Sequence, residues 1–194
     1  MQEILAPDGP DISKILLEHF NPIIDRIVKL EVPIVAAING VAAGAGANIA
    51  LACDITIAKT SASFIQAFSK IGLIPDSGGT YYLPRIIGRS KASALMMLGD
   101  KVSAEEAERM GMIYKVVADE EFDAVITKTC QKLSQMPTLG LGLTKRALHK
   151  SFQNDIYQQL TLEDELQTIA GHSDDYGEGV RAFVEKRKPV YKGH

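Results

Sequence analysis

The pattern of apolar residues along this 194-residue chain predicts an α/β core followed by a helical C-terminal region. Three observations predict it. Residues 33–58 alternate short strand-like apolar runs with an apolar helix pattern, and Val32 to Ala58 holds a single charged residue, Asp54. Dense turn chemistry at Pro75-Asp76-Ser77-Gly78-Gly79 separates that stretch from further helix and strand patterns. Beyond Met136 only helical patterns occur, and charge is denser there than in the residues before it. The division is therefore a core over residues 1–135 and a helical region over 136–194.

Taken in order, Ile12, Ile15, Leu16 and Phe20, then Ile23, Ile24, Ile27 and Val28, fall at helical spacing. Pro22 interrupts the run. With Asn21 before it as an N-cap, either one kinked helix or two consecutive helices fits. The low-charge stretch that follows is long enough to raise a membrane span. Pro33, Asn39, Asn48 and three interior glycines argue against one, as does the absence of a basic flank. The pattern instead predicts a strand over 33–38, a turn at Asn39-Gly40, a helix from about Gly44 to Ala52 and a strand over 54–58. A helix apolar on every side belongs inside a protein. Residues 64–80 read as loop-rich. Ser103-Ala104-Glu105-Glu106 is a capping box opening a helix that ends at Gly111. A strand is predicted over 112–117, with helices over 121–133, 144–152 and 156–170, and a short basic-ended segment over 179–188.

Composition narrows the function. Lys plus Arg is 21 and Asp plus Glu is 24, a net charge of −3 with no basic stripe, which excludes a non-specific nucleic-acid binder. Cys53 and Cys130 lie far apart with no CxxC, so neither a disulfide framework nor a zinc site is expected, and a reducing, cytoplasmic setting follows. Residues 1–13 have no basic and apolar regions of a secretory signal. His19, His149, His172 and His194 pair at no metal spacing and form no triad. Lys145-Arg146 with His149 and Lys150 reads as a solvated basic face. Lys186-Arg187-Lys188 reads as a charged tail or an attractor of phosphates.

Two segments remain as candidates for chemistry. In Gly40-Val-Ala-Ala-Gly44-Ala45-Gly46-Ala47, small residues at a helix start let backbone N–H groups approach a ligand, where the helix dipole favours developing negative charge. Close packing of a buried helix on a sheet is the commoner use of such small residues. The segment is neither G-x-G-x-x-G nor a Walker A loop, so a nucleotide-phosphate cradle is not supported. Asp76, near apolar Leu73 and Ile74, is a lone carboxylate that suits a general base, or else caps the helix through Tyr81 and Tyr82.

The segments Pro33–Ala47, Ala52-Cys53-Asp54 and Gly72-Leu-Ile-Pro75-Asp76-Ser-Gly-Gly-Thr80 resemble the enoyl-CoA hydratase/isomerase (crotonase) superfamily. Arg85 with Gly88, Ser103–Ala107, Gly111 with Val116-Val117, and Phe183-x-x-Lys186-Arg187 extend the likeness from about Asn21 to the C-terminus. Within the family the Ala-Gly-Ala-Gly-Ala variant, Ala67–Lys70, Ile74–Gly79 and Gly140–Lys145 look most like the ring-1,2-epoxyphenylacetyl-CoA isomerases of phenylacetate catabolism.

The resemblance implies a spiral of ββα turns and a thioester carbonyl held between two backbone N–H donors, one of them that of Ala45. It implies that hydratases of the family use two glutamates, at positions that here hold Asn48 and Phe68, so simple hydration is disfavoured. Asp76 falls at the isomerase carboxylate. One acid/base shuttle with an oxyanion donor suffices to move a double bond or open an epoxide ring of an acyl-CoA, with Gly44, Asn48, Phe68, Leu73 and Pro75 around the substrate. Phe183 and Lys186 match positions that reach the CoA of a neighbouring subunit in trimers or dimers of trimers, which the C-terminal helices build. No metal and no cofactor beyond the CoA of the substrate is implied. Gln2-Glu3 falls where a Gly-x-Asp-Leu-like segment would be ending, so the other oxyanion donor, the first strands and part of the adenine pocket are expected to be absent. A non-catalytic, truncated subunit that only folds and oligomerises is the alternative.

Overall fold

The computed structural model of the protein describes residues 11–194 and divides into two compact units. Gln2 and Glu3 lie outside the described residues. One unit holds residues 11–29 and 35–123; the other holds 30–34 and 124–194.

In the first unit, helix α1 (Ile12–Ile15) runs through a π-helical turn (Leu16–Phe20) into α2 (Asn21–Lys29). Asn21 is helical at φ −60°, ψ −39°, and its N–H donates to the Leu16 carbonyl five residues back. It is thus no N-cap: of the two predicted forms, the distorted single run is observed, with the backbone widening just before the proline that has no N–H to give.

The core is one winding of strand, strand and helix laid against the next. β1 (Val35–Ile38) turns at Asn39-Gly40 into β2 (Val41–Ala43), α3 (Ala45–Ala52) follows, and β3 (Ile55–Lys59) and β4 (Ser63–Ile65) repeat the path. β3 pairs parallel with β1, Val35 opposite Ile55, and β4 pairs parallel with β2, Val41 opposite Ser63. β6 (Lys115–Val117) extends the first sheet in parallel, and β5 (Lys101–Ser103) closes the second antiparallel to β4. This is the ββα spiral of the crotonase-like α/β fold.

α3 is largely buried, with Ala47, Ala50, Leu51 and Ala52 in the core and Gly46 exposed in its first turn. Phe64, Ile57 and Leu83 complete the core around it. Helix α4 (Gly79–Ile87) packs on α3, and α5 (Arg89–Leu98) packs on the 3-10 turn Ala67–Ile71. Sequence patterning predicts neither α5 nor the strands β2, β4 and β5, which at three residues each are too short to show a period. In α6 (Ala104–Arg109) the Ser103 hydroxyl accepts from the Glu106 N–H, one half of the predicted capping box.

α7 (Phe122–Ser134) crosses from the first unit into the second, which is otherwise helical: α8 (Thr138–Ser151), α9 (Ile156–Gly171) and α10 (Asp174–Val184). α8 starts six residues before the predicted 144 and α10 five before the predicted 179, because Gly140, Gly142, Gly177 and Gly179 thin the apolar period without ending the helix. Asp155 and Gln158 form a complete capping box on α9.

Lys145 corrects the expectation of a solvated basic face. It is buried, and its Nζ donates to the Val32 carbonyl at 3.3 Å. Its helix lies so close to the 30–34 segment that a Cβ at Gly142 would sit 2.9 Å from the Glu31 carbonyl carbon. Among the described residues no helix is long and apolar enough to cross a membrane.

Candidate active site

Because β2 and β4 run parallel, they end at the same side of their sheet, the usual location of ligand sites in α/β folds. There the chain leaves β2 into Gly44, whose N–H donates to the Ile65 carbonyl at 2.9 Å and extends the ladder by one bond. Gly44 adopts φ 54°, ψ −125°, a conformation that disfavours any side chain, and so turns the backbone sharply into α3. No side chain caps α3. The N–H of Asn48 bonds the Gly44 carbonyl, leaving those of Ala45, Gly46 and Ala47 as the orphan donors of the first turn. Partial positive charge gathers at that end.

The Phe68 ring covers Gly44. A Cβ there would lie 3.5 Å from its Cζ, and Phe68 is buried in the 3-10 turn that follows β4. The apolar face at this position therefore belongs to the packing of the turn. Leu73 and Ile74 are exposed, and Pro75 is half-buried.

Asp76 lies in a loop whose next two residues both take left-handed backbone, Ser77 at φ 49° and Gly78 at φ 76°. The conformation is costly for a serine. The loop is held from several sides. The Asp76 carbonyl accepts from the Asn48 Nδ2 amide at 2.9 Å and from the Gly79 N–H at 2.8 Å. The Ser77 hydroxyl donates to the Asp76 carboxylate at 2.9 Å. The N-cap of α4 is Gly78, with no side-chain hydrogen bond, so the carboxylate of Asp76 is not the helix cap that sequence chemistry allowed. Burial, and after it the neighbouring Tyr81, pushes the Tyr82 phenol up.

Sequence reasoning misses Gln66. Its Nε2 donates to Asn48 Oδ1 at 2.8 Å, and both side chains are buried. A lone amide in the apolar run Phe64-Ile65-Gln66-Ala67-Phe68 is the signal that would have flagged it. Gly79 is missed as well: a Cβ there would stand 2.5 Å from Asn48 Cγ and 2.6 Å from its Oδ1. The first unit thus brings Gly44, Ala45, Asn48, Phe68 and Asp76 onto connected elements.

Phe183 and Lys186 belong to the second unit. Phe183 is exposed at the end of α10, and Lys186 follows it at φ 53°. Neighbouring Arg187 is engaged with Glu178 and Glu185. The Arg187 hydrogen bond, and after it that from the Val190 N–H, holds the Glu178 carboxyl at about 2, while the bonds to Glu178 and Glu185 raise the Arg187 guanidinium. Among the described residues, no group of three His, Cys, Asp or Glu side chains could hold a metal ion.

The family model for enoyl-CoA hydratase/isomerase matches residues 3–194. The chain belongs to that family. It is 48% identical over 185 residues to the 1,2-epoxyphenylacetyl-CoA isomerase of Escherichia coli, covering 95% of this chain and 71% of that protein. It is 35% identical to the trans-2-decenoyl-[acyl-carrier-protein] isomerase of Streptococcus mutans, over 97% of this chain and 72% of that protein. The crystal structure of an enoyl-CoA hydratase from Bacillus anthracis superposes with a TM-score of 0.89 at 33% identity, over 96% of this chain and 73% of that chain. Family members thus include isomerases and hydratases, and an acyl-CoA substrate fits the family.

Proposed function

We propose that this family member is an acyl-CoA isomerase that works through an enolate, with Asp76 as its single acid/base and the Ala45 N–H as an oxyanion donor. The observation that carries the reading is the side-chain chemistry on the three facing elements. Position 48 holds an amide with both ends engaged, position 68 a phenyl ring packed on Gly44, and only position 76 a carboxylate, which caps nothing. Hydration needs a base that activates water. Neither an amide nor a phenyl ring supplies one.

In a 3-enoyl-CoA, Asp76 takes a proton from the carbon beside the thioester carbonyl. Negative charge develops on the thioester oxygen, where the Ala45 N–H and the positive end of α3 stabilise it. The carboxyl then returns the proton two carbons along, moving the double bond into conjugation. One residue serves both half-steps, so none of the proton needs to come from water. The 48% identity to an epoxyphenylacetyl-CoA isomerase favours an epoxide of an aromatic acyl-CoA as the physiological substrate. Leu73 and Pro75 would border the acyl group, and Phe183 and Lys186 would reach the CoA of a neighbouring subunit. Exposed Ile156, Tyr157, Leu160 and Ile169 along α9 suit an assembly into trimers or hexamers, which light scattering measures.

The test is conversion of trans-3-hexenoyl-CoA to the conjugated isomer, followed by ultraviolet absorbance, with product mass recorded. Asp76→Asn is expected to lower the rate on the order of 10²–10⁴-fold. An unchanged rate in that variant, or products that have gained one water, would sink the assignment.

A further inference from the structure

A buried amide relay connects three elements of the first unit. Gln66 Nε2 donates to Asn48 Oδ1 at 2.8 Å, and Asn48 Nδ2 donates to the Asp76 carbonyl at 2.9 Å. Gln66 is 3% exposed and Asn48 0%. A primary amide is nearly symmetric in shape, so packing alone does not decide which end faces which neighbour. The Asp76 carbonyl can only accept. In the reverse orientation Asn48 would set oxygen against oxygen at Asp76 and NH₂ against NH₂ at Gln66. The accept-only Asp76 carbonyl fixes that orientation, the Gln66 donor satisfies the Oδ1 it turns inward, and Gly79 lies flush against the amide.

A second observation concerns the other end of Gln66. Its Oε1 is buried with no hydrogen-bond partner among the described residues. An unpaired buried acceptor is costly, and an apolar side chain of similar length would avoid the cost. The residue is thus present for its donor.

We infer that Gln66 is a positioning residue for the reaction, acting through Asn48 to hold the main chain that aims the Asp76 carboxylate. The loop needs such a hold because its next residue, Ser77, sits at φ 49° and would relax once released. This rests on the reading of Asp76 as the acid/base.

Gln66→Leu keeps the volume and removes the donor. Gln66→Glu replaces the donor by an acceptor that donates again once protonated, and burial favours that protonated form. With trans-3-hexenoyl-CoA, Gln66→Leu should lower kcat about tenfold or more, with KM changed less than about threefold, as expected for misaimed chemistry. The deficit of Gln66→Glu should shrink as pH falls from about 8 to about 5.5, where a protonated carboxyl resumes the bond. Combining Gln66→Leu with Asn48→Leu should cost no more than Asn48→Leu alone. Melting curves confirm that each variant is folded, and Asp76→Asn is run beside them. Full kcat in Gln66→Leu with an inactive Asp76→Asn overturns the Gln66 inference alone, as does a pH-independent Gln66→Glu deficit. An active Asp76→Asn overturns both this inference and the reading beneath it.

Discussion

The tightest joint in the site is Gly79 against the Asn48 amide, and Gly79→Ala tests it directly. Gly79 is helical and buried, and its φ is not positive, so any cost is steric and not backbone strain. The new Cβ would lie 2.5 Å from Asn48 Cγ and 2.6 Å from Oδ1, whereas carbon contacts settle at about 3.5–4.0 Å. The amide must shift by roughly 1 Å, which carries its bonds to the Asp76 carbonyl and from Gln66, at 2.9 and 2.8 Å, past the limit of a hydrogen bond. Overpacking costs about 1–3 kcal/mol and two lost bonds about 0.5–1.5 kcal/mol each, offset by up to about 1 kcal/mol of helix propensity. Taken at their centres these give a net destabilisation of about 3 kcal/mol, or roughly 6–12 °C in Tm for a chain of this size. Removing the obstacle should relieve it, so Gly79→Ala should cost far less in an Asn48→Ala background. Urea unfolding of the four proteins of this cycle measures the coupling. A Gly79→Ala melting point within about 2 °C of wild type, or effects additive within about 0.5 kcal/mol, would refute the reasoning.

Other outcomes follow from the same geometry. Asp76→Asn should leave Tm within about 2 °C of wild type while activity is lost, because the carboxylate caps no helix; a large Tm drop would show a structural role instead. Gly142→Ala should destabilise the second unit by about 1–3 kcal/mol, since its Cβ would press on the Glu31 carbonyl group, and circular dichroism in urea reads it. The carboxyl of Glu178 is held at about 2, below its ordinary 4.5, mainly by Arg187 and then by the Val190 N–H. A depressed carboxyl contributes stability above its unfolded value and loses it as pH falls through the folded one. The protection factor of the Val190 amide, referred to its intrinsic exchange rate at each pH, should therefore be flat from pH 7 to about 5 and fall from about 4.5 towards 2, and Glu178→Gln should abolish that acid step.

Much of this was legible in the residues. The uncharged stretch around Asn39-Gly40 predicted a strand, a turn and a fully apolar helix, and α3 is that helix. The short strands β2 and β4 were not legible, because their three residues acquire meaning only from parallel partners one winding away. Lys145 was misread for a related reason. Its neighbours Arg146, His149 and Lys150 suggest a solvated face, while its burial depends on the 30–34 segment, more than a hundred positions earlier.

The candidate site divides in the same way. Through the family resemblance alone, an amide at 48, a phenyl at 68 and a carboxylate at 76 disfavour a base-activated water and point to Asp76 as the candidate proton carrier. Whether that carboxylate caps a helix, which way the Asn48 amide points, and what Gln66 and Gly79 do could not be read in this way. Those properties depend on hydrogen-bond direction and on clearances of a few ångströms between residues 48, 66, 76 and 79, and only the stacked parallel windings bring these into contact.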